Sequence, residues 1–473
     1  MNRERVVNEL LSRRQLLRGA SCGFGSLALT ALLAERARTE DSPLAVKSPH
    51  FTPRAKRVIF LYLLGGPSQV DLFDYKPRLA KQSGEKIPFS LPKTEVTVGL
   101  DKTRLLGPLE SFSHRGKSGL LLSDLLPHLG QHADDICILR GMQSDSLNHA
   151  PAQILLHCGS TTEFWPSMGS WVSYGLGTEN HDLPGYIALK PGSRARDYGS
   201  AFLPSVYQGT PLQNVGEEPG TAPIRHLGDP ELPARLQRRR LDFLQAMNRR
   251  KLARLQSDRE MEGLIESFEL AFRMQTETPK FIDLSKESKD TLDLYGIGEE
   301  HTDIAGRQCL LARRFAEAGV RFVEVTMASW DHHMAIAKDL PQKCAETDRP
   351  IAGLLTDLKQ RGLLDDTLVL CAGEFGRTPH SQLFPDSTEV GREHNRHGFS
   401  AWFAGGGVRG GMTHGSTDEF GYYAVDGKVH IHDLHATILH LLGLDHERLT
   451  YRHAGRDFRL TDVYGRVVRE ILV

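Results

Sequence analysis

The sequence predicts an α/β protein in which a mostly parallel central sheet lies between layers of helices, with an irregular, helical insertion. Three apolar runs, Arg57–Leu64, Ile136–Leu139 and Thr367–Cys371, are typical of buried parallel strands. Helical patterns separate these runs, and strands that alternate with helices form parallel sheets. With 473 residues, 40% of them hydrophobic, the chain is long enough to bury a substantial core.

Further elements follow in chain order. The spacing of apolar residues and the positions of Gly and Pro predict helices at Ser123–Leu129, from Pro151 through Leu156, near Ile304–Ala318, at about Gln342–Arg361 and at Leu434–Leu442, and strands at Val320–Val325 and Phe399–Phe403. Residues 160–228 are rich in Gly, Pro and Ser, and residues 229–274 carry leucines at helical spacing. We therefore expect a single α/β domain over residues 47–473, with an insertion at about 160–290.

Charge and cysteine content argue against several classes of protein. The 58 Lys and Arg residues against 59 Asp and Glu residues give a formal net charge of −1, so no overall field favours nucleic acid or an anionic membrane. The six cysteines show no Cys-x-x-Cys spacing, which argues against a zinc–thiolate site or a disulfide framework. We expect no nucleic-acid partner and no membrane span.

The amino terminus predicts export. Paired arginines in Ser12–Leu17 precede an apolar run from Gly19 to Ala34, which is shorter than the about 20 residues that a membrane-spanning helix needs. This pattern is typical of a twin-arginine signal. We expect residues 1–46 to be signal and linker, the twin-arginine translocase to be a partner during export, and the protein to be periplasmic or at the cell surface. The alternative is a cytoplasmic protein with a basic tail.

Candidate ligands for a metal follow the predicted strands. They are Ser68, Asp71 and Asp74 after the first strand, His149 after the second, Asp331, His332 and His333 after the third, and Glu374, Arg377, His394 and His397 at and beyond the fourth. The carboxyl ends of parallel strands share one edge of a sheet, so these distant residues are expected to converge.

We expect one or two divalent ions at this edge, with zinc or manganese favoured, because imidazole and carboxylate ligands suit these metals better than calcium or magnesium. The predicted metal ligands are Asp71, Asp331, His333, Glu374 and His397. Each has a structural alternative. Asp71 or Asp74 could cap the next helix, Glu374 and Arg377 could form a buried ion pair, and the segment at Asp331 could be a simple turn. The late histidines His432, His435, His440 and His446 are expected to be structural.

Three further residues are assigned to catalysis: His149, Arg377 and His394. His149 precedes a helix that begins near Pro151, and the N–H groups of a helix amino terminus stabilise anions. The guanidinium of Arg377 is expected to bind the charged oxygens of the substrate with two hydrogen bonds.

Several motifs resemble a known family. GGPSQVDLFDYKP, NHAPA, WDHH, GEFGRTP, HNRHGF, GGGVRGG, DLHATILHLLGLDHERL and GRDFRLTDV occur in this order, and the chain from Arg57 onward resembles the twin-arginine-exported family called domain of unknown function 1501. Members are often labelled sulfatases and placed in the alkaline phosphatase-like superfamily. The resemblance implies that superfamily's fold, with a one- or two-metal site. Asp331, His333 and His397 resemble its late metal ligands, whereas Phe375 replaces a usual histidine after Glu374.

The resemblance also implies a missing nucleophile. Sulfatases carry Cys or Ser in C/S-x-P-S-R, with a glycine eight residues after the proline. Pro151 and Gly159 fit this register, but His149 takes the place of the nucleophile and Gln153 that of the arginine. The sequence therefore predicts an exported metal-dependent hydrolase of phosphate or sulfate esters, acting on a small anionic ester or a sulfated or phosphorylated glycan, without the usual sulfatase nucleophile. The alternative is a non-catalytic or repurposed metal-containing protein that binds glycans or a cell-surface partner.

Overall fold

A large sheet organises the protein, whose computed structural model describes residues 42–91, 103–192, 195–213, 215, 232–255, 258–383 and 389–473. The paired arginines of the predicted signal lie outside these residues. The strands are β1 (Arg57–Leu63), β2 (Phe112–Arg115), β3 (Leu120–Ser123), β4 (Ile136–Gln143), β5 (Tyr186–Leu189), β6 (Thr210–Leu212), β7 (Phe322–Met327), β8 (Thr367–Ala372), β9 (Gly376–Gln382), β10 (Gly391–Asn395), β11 (Phe399–Ala404), β12 (Met412–His414), β13 (Ser416–Thr417), β14 (Ala424–Asp426), β15 (Val429–His430), β16 (Tyr451–His453) and β17 (Arg456–Phe458).

The helices alternate with the sheet strands, as the sequence predicts. They are α1 (Gln69–Leu72), α2 (Pro77–Lys81), α3 (His149–Cys158), α4 (Met168–Leu176), α5 (Ala234–Leu255), α6 (Arg259–Ile282), α7 (Lys289–Leu294), α8 (Asp303–Glu317), α9 (Ile336–Gln360) and α10 (Ile431–Leu441). The helical pattern at residues 229–274 is present as α5 and α6, which an ion pair between Arg238 and Glu269 joins at 2.8 Å. Among the described residues, no helix combines the length and apolarity that crossing a membrane requires.

The central sheet is mostly parallel, and β1 lies in its interior. The strand order is β12-β4-β11-β8-β1-β7-β5-β6, with β15 also paired to β4. β1 pairs in parallel with β7 and β8, and β5 pairs in parallel with β6 and β7. β11 runs antiparallel to both β4 and β8. The predicted α/β class with a mostly parallel sheet is therefore confirmed, and β1, β4, β7 and β8 all end at the same edge.

Helices cover both faces of the sheet. In β1, Val58, Phe60 and Tyr62 belong to one buried cluster, and the intervening Ile59, Leu61 and Leu63 belong to another, because successive strand residues point to opposite faces. The first cluster includes apolar residues of α3, α4 and α10, and the second includes those of α8 and α9. The sheet is thus buried on both faces, which explains the continuous apolar runs in the sequence.

One local prediction is wrong. Ser123–Leu129 is not a helix: Ser123 ends β3, and a short 3-10 helix begins only at Leu129. Pro127 lies between them and cannot donate a helical hydrogen bond. The segment after β8, which carries Arg377 and His394, also has regular structure. It forms an antiparallel hairpin of β9 and β10, and this hairpin decides which late side chains reach the site.

Candidate metal centre

Four side chains converge where β4, β7 and β8 end. His149, Asp331, His333 and His394 each offer one ligand atom, and these atoms all lie within 4.8 Å of one another. His149 is in the first turn of α3, Asp331 and His333 lie between β7 and α9, and His394 is in β10. The predicted convergence of loops along one sheet edge accounts for the first three, and the hairpin supplies the fourth.

The carboxylate of Asp331 lies at the middle of this group. Its Oδ1 is 3.0 Å from Nε2 of His333 and 3.1 Å from Nε2 of His394, and its Oδ2 is 3.2 Å from Nε2 of His149. The Nε2 atoms of His333 and His394 are only 2.9 Å apart. Three imidazoles therefore turn the same nitrogen towards one carboxylate.

The opposite nitrogen of each imidazole has an acceptor from a different part of the chain. Nδ1 of His149 is 2.7 Å from Oε1 of Glu374. Nδ1 of His394 is 2.7 Å from the carbonyl oxygen of Leu147, and Nδ1 of His333 contacts Oε1 of Gln382. An acceptor at Nδ1 fixes the proton on that atom, which leaves the lone pair on Nε2. Histidines that bind metals are commonly oriented in this way.

This arrangement fits a divalent metal ion. With their protons on Nδ1, three Nε2 lone pairs and an ionised carboxylate face one another, and this arrangement needs a cation. Nε2 of His149 is buried and has no hydrogen-bond partner among the described residues, although Asp331 is close. Three imidazole nitrogens and a carboxylate oxygen are a ligand set that zinc and other first-row transition metals accept.

The electrostatics of the site also favour positive charge at its centre. Burial alone lowers the pKa of His149, but Asp331 and Glu374 raise it to about 9. The pKa of Asp331 is lowered far below its usual range, against the effect of burial, by its three histidines and by Arg377. A positive charge at the centre, from a second proton on His149 or from a bound cation, would offset this negative charge.

Glu374 lies behind His149 rather than among the ligands, contrary to the prediction that it binds the metal. It is fully buried. Besides His149, its carboxylate accepts hydrogen bonds from the backbone N–H of Gly65 at 3.1 Å and from the hydroxyl of Tyr62 at 3.2 Å. Burial raises the pKa of Glu374, but His149 and the Gly65 N–H lower it by more, so the pKa lies below its usual value. Glu374 is thus an ionised outer partner that orients His149.

Arg377 does not face a substrate, contrary to the prediction that it binds the anion. It is fully buried, and its Nε donates to the carbonyl of Gly66 at 2.9 Å. Its other nitrogens donate to the carbonyls of Gly65 and Arg392 and to Oδ1 of Asp331. The guanidinium therefore fixes Asp331 and the loop after β1, and its ion-pair partner is Asp331 rather than Glu374, which was the alternative partner.

Gly65 allows this loop to approach the site. Its φ is +119°, and a Cβ atom there would lie 2.6 Å from the backbone nitrogen of Asp331. Only glycine adopts this conformation without strain and leaves room for the Asp331 segment. Gly65 therefore brings the backbone after β1 against the segment that carries Asp331.

Asp71 is not brought to the centre, contrary to its assignment as a metal ligand. Its Oδ2 is 2.7 Å from Nε of Arg392, and its Oδ1 is 2.9 Å from Nη2 of the same guanidinium. Both side chains are fully buried. Asp71 also accepts hydrogen bonds from the Ser68 hydroxyl, at 2.5 Å, and the Leu109 backbone N–H. The pair links α1 to β10, the strand that carries His394.

Replacing Asp71 tests this assignment. Asp71→Asn leaves the buried Arg392 charge without its partner, so we expect the free energy of unfolding to fall by about 3–5 kcal/mol. We expect the metal content of the folded protein to stay unchanged. The control is Asp365→Asn, because Asp365 is exposed. Denaturant unfolding and metal analysis below the unfolding midpoint measure both quantities. Loss of metal from folded Asp71→Asn protein would contradict the structural role.

The other sequence candidates lie elsewhere. His397 is not a member of the ligand group, and its ring packs 5.6 Å from Tyr422 and 5.2 Å from Tyr423. Asp74 forms an ion pair with Lys76 at 3.0 Å rather than capping a helix. The late histidines His432 and His435 contact the backbone carbonyls of Gly159 and Leu156. From this segment the candidate ligand group thus includes His394, which was assigned to catalysis, and not His397.

Four contributions were not predicted from the sequence. They are the amide of Gln382, the carbonyl of Leu147, the hydroxyl of Tyr62 and the ring of Phe375. The Phe375 ring is fully buried, and its centre lies 4.3 Å from that of His394 and 4.9 Å from that of His149. In the sequence, Phe375 stands out only as the residue that replaces a usual histidine. An apolar side chain beside imidazoles that bind a metal limits the access of solvent to the site.

Fold and site together define an α/β protein with a histidine-rich candidate metal centre at the carboxyl edge of its sheet. The chain belongs to the family described as "Protein of unknown function (DUF1501)", which it matches over residues 55–472. No curated protein matches the chain.

Several solved structures are similar to the chain at low identity. The lipoteichoic acid synthase LtaP from Listeria monocytogenes is 11% identical, with 91% of this chain and 81% of that chain covered and a TM-score of 0.34. The PsFucS1 sulfatase from Pseudoalteromonas sp. is 12% identical, with 89% of this chain and 72% of that chain covered and a TM-score of 0.32. The alkaline phosphatase from the Antarctic bacterium TAB5 is 10% identical, with 84% of this chain and 99% of that chain covered and a TM-score of 0.32. Similarity at this level carries no argument about activity, which rests on the site itself.

Proposed function

We propose that this protein is a metal-dependent hydrolase of phosphate or sulfate esters that lacks the usual sulfatase nucleophile. The observation that carries the proposal is the convergence of His149, His333 and His394 on Asp331, with an acceptor behind every imidazole. A site of this kind is expensive to assemble, because it confines a carboxylate and three lone pairs in a small volume. A catalytic metal centre explains that cost.

The residues of the chain have distinct tasks in this proposal. His149, His333, His394 and Asp331 would hold the ion, zinc or manganese, while Glu374 keeps the proton on Nδ1 of His149. A bound ion would polarise the ester and activate water. The side chain of Asp331 is 42% exposed, so an ester in solvent can reach the centre.

The reaction is a simple displacement at phosphorus or sulfur. The oxygen of a water molecule forms the new bond, and the bond to the alkoxy oxygen of the ester breaks. The attacking water releases one proton and the leaving alkoxide takes one up, so the products are an alcohol and inorganic phosphate or sulfate. His149 is committed to the ligand group and to Glu374, which favours water over His149 as the attacking group.

Substrate class and location are part of the proposal. We expect a small anionic ester or a sulfated or phosphorylated glycan as substrate, because the centre opens to solvent and supplies positive charge once loaded. The paired arginines in Ser12–Leu17 support export by the twin-arginine route. That route carries folded proteins, so a metal can be inserted before export.

The proposal is tested with full-length protein purified from its native export route. We expect at least one equivalent of zinc or manganese by elemental analysis, and metal-dependent turnover of p-nitrophenyl phosphate or p-nitrophenyl sulfate. Chelation should abolish turnover, and the lost metal should restore it. Protein without metal and without turnover on either ester would overturn the proposal.

One observation favours a second candidate, a metal-containing binding protein. The arginine expected to bind the anion, Arg377, is fully buried and bonded to backbone carbonyls and Asp331. A centre without an available arginine has less to offer the charge of an ester in the transition state. Stoichiometric metal with no turnover of either ester would support this candidate.

A further inference from the structure

A cavity is lined in part by the chain segment that leads from β7 towards Asp331. It measures about 310 Å³ and is lined by residues that follow β5 and β7, together with residues on and near α8 and α9. Lys190 directly follows β5, and Ser329 lies two residues before Asp331. β5 and β7 are adjacent parallel strands, so the cavity opens at the edge where α/β proteins bind ligands.

The backbone of this cavity is strained at two positions. Lys190 has a φ of 49° and Ser329 a φ of 75°, and both line the cavity. Residues other than glycine rarely adopt this left-handed region, because the Cβ atom crowds the backbone. Strain of this kind concentrates at functional sites. The conformation after both strands is therefore held by its surroundings.

A buried amide in the cavity wall has no partner. Gln308 in α8 is only 2% exposed, and its Nε2 donates no hydrogen bond within the described part of the chain. A buried donor without an acceptor costs free energy, and native structures rarely leave one unexplained. An oxygen of a bound molecule would satisfy it.

The charges of the lining set the chemistry of that molecule. The lining includes two lysines, Lys190 and Lys343, and two glutamates, Glu300 and Glu346. Lys343 and Glu346 form an ion pair. Balanced charge argues against a strongly charged ligand. A mixture of donors and acceptors suits hydroxyl groups, since each hydroxyl both donates and accepts.

We propose that this cavity is a subsite for the alcohol portion of the substrate and that it binds a neutral, polyhydroxylated group the size of one sugar unit. Its volume is at the lower end of the range for ligand pockets, which begins at about 300 Å³. The half-exposed Ile304 beside the cavity gives the apolar face of a sugar ring a contact. The assignment rests on the proposed function of the centre, which would act on the ester oxygen of the same molecule.

Direct binding tests the subsite without any need for turnover. Glucose, galactose and mannose are titrated against the full-length protein and followed by saturation-transfer NMR. We expect saturable binding of at least one hexose, and about tenfold weaker binding to Gln308→Leu, since one lost hydrogen bond is worth about a factor of ten. Gln131→Leu is the matched control, because Gln131 is exposed, and it should bind as the wild type does.

A second variant guards against misfolding of the first. Lys190→Gly removes the ammonium group and suits the positive φ, so the fold should be kept, and hexose binding should again weaken. If turnover is present, the preference for a hexose phosphate over p-nitrophenyl phosphate should fall about tenfold in Gln308→Leu. No saturable hexose binding, or equal binding by both variants and the wild type, would overturn the subsite. If the wild-type protein bound a hexose but hydrolysed neither ester, only the proposed hydrolase function would be overturned.

Discussion

Asp331→Asn is expected to abolish metal retention and, with it, ester hydrolysis. Asp331 supplies the carboxylate of the ligand group and contacts all three of its histidines. Asparagine keeps the shape but removes the charge that balances a divalent ion. We expect metal affinity to fall by more than about a hundredfold, beyond the usual effect of losing an outer partner, and turnover to fall with metal occupancy.

The measurement separates metal loss from unfolding. Metal content after dialysis and kcat/KM on p-nitrophenyl phosphate are compared with the thermal unfolding midpoint. Asp331 also balances the buried Arg377, so Asp331→Asn can destabilise the fold. His333→Gln removes one ligand without touching that ion pair, and it should also lose metal. Asp365→Asn is the exposed control. Full metal retention in both site variants would refute the ligand assignment.

Sequence alone was sufficient for the fold class, and it predicted the sheet edge at which the candidate ligand group lies. The continuous apolar runs correspond to β1, β4 and β8, because strands buried on both faces leave an unmistakable pattern. From parallel strands it follows that His149, Asp331 and Glu374 meet at one edge. The structure brings all three into contact.

The roles of individual side chains could not be predicted, because they depend on strand register. In the β9–β10 hairpin, His394 lies opposite Arg377, and the register shifts between Arg392 and His394. A shift of one residue sends a side chain to the other face of a strand. His394 therefore points to the centre, whereas His397, beyond the end of β10, packs against tyrosines.

Buried ion pairs caused the other misassignments. An aspartate or arginine after a buried strand looks the same in sequence whether it binds a ligand or a second charge. Asp71 and Arg377 are both completely buried, and each forms an ion pair within the protein, with Arg392 and Asp331 respectively. The first pair connects α1 to β10, and the second connects β9 to the loop after β7. Asp71, which was assigned to the metal, and Arg377, which was assigned to the substrate, thus hold together the segments around the ligand group.

Glu374→Gln separates an orienting residue from a ligand. If Glu374 orients His149 through Nδ1, glutamine should keep a weaker, uncharged acceptor, and metal affinity should fall by about 10–100-fold without being lost. The negative charge beside His149 also disappears, so the imidazole becomes a poorer ligand. A direct ligand would behave like Asp331→Asn and lose the metal altogether.

A graded series makes this test sharp. Tyr62→Phe removes one hydrogen bond to Glu374, whose length is 3.2 Å, and leaves its charge in place. We expect metal affinity to decrease in the order wild type, Tyr62→Phe, Glu374→Gln, Asp331→Asn, as measured by competition with a chromophoric chelator. In Tyr62→Phe and Glu374→Gln, kcat measured at saturating metal should be closer to the wild-type value than the metal affinity is. The four side chains of the ligand group remain in both variants. If Glu374→Gln bound metal as tightly as the wild type, Glu374 would be only a buried structural acid. If it bound none, the assignment of Glu374 as a ligand would be restored.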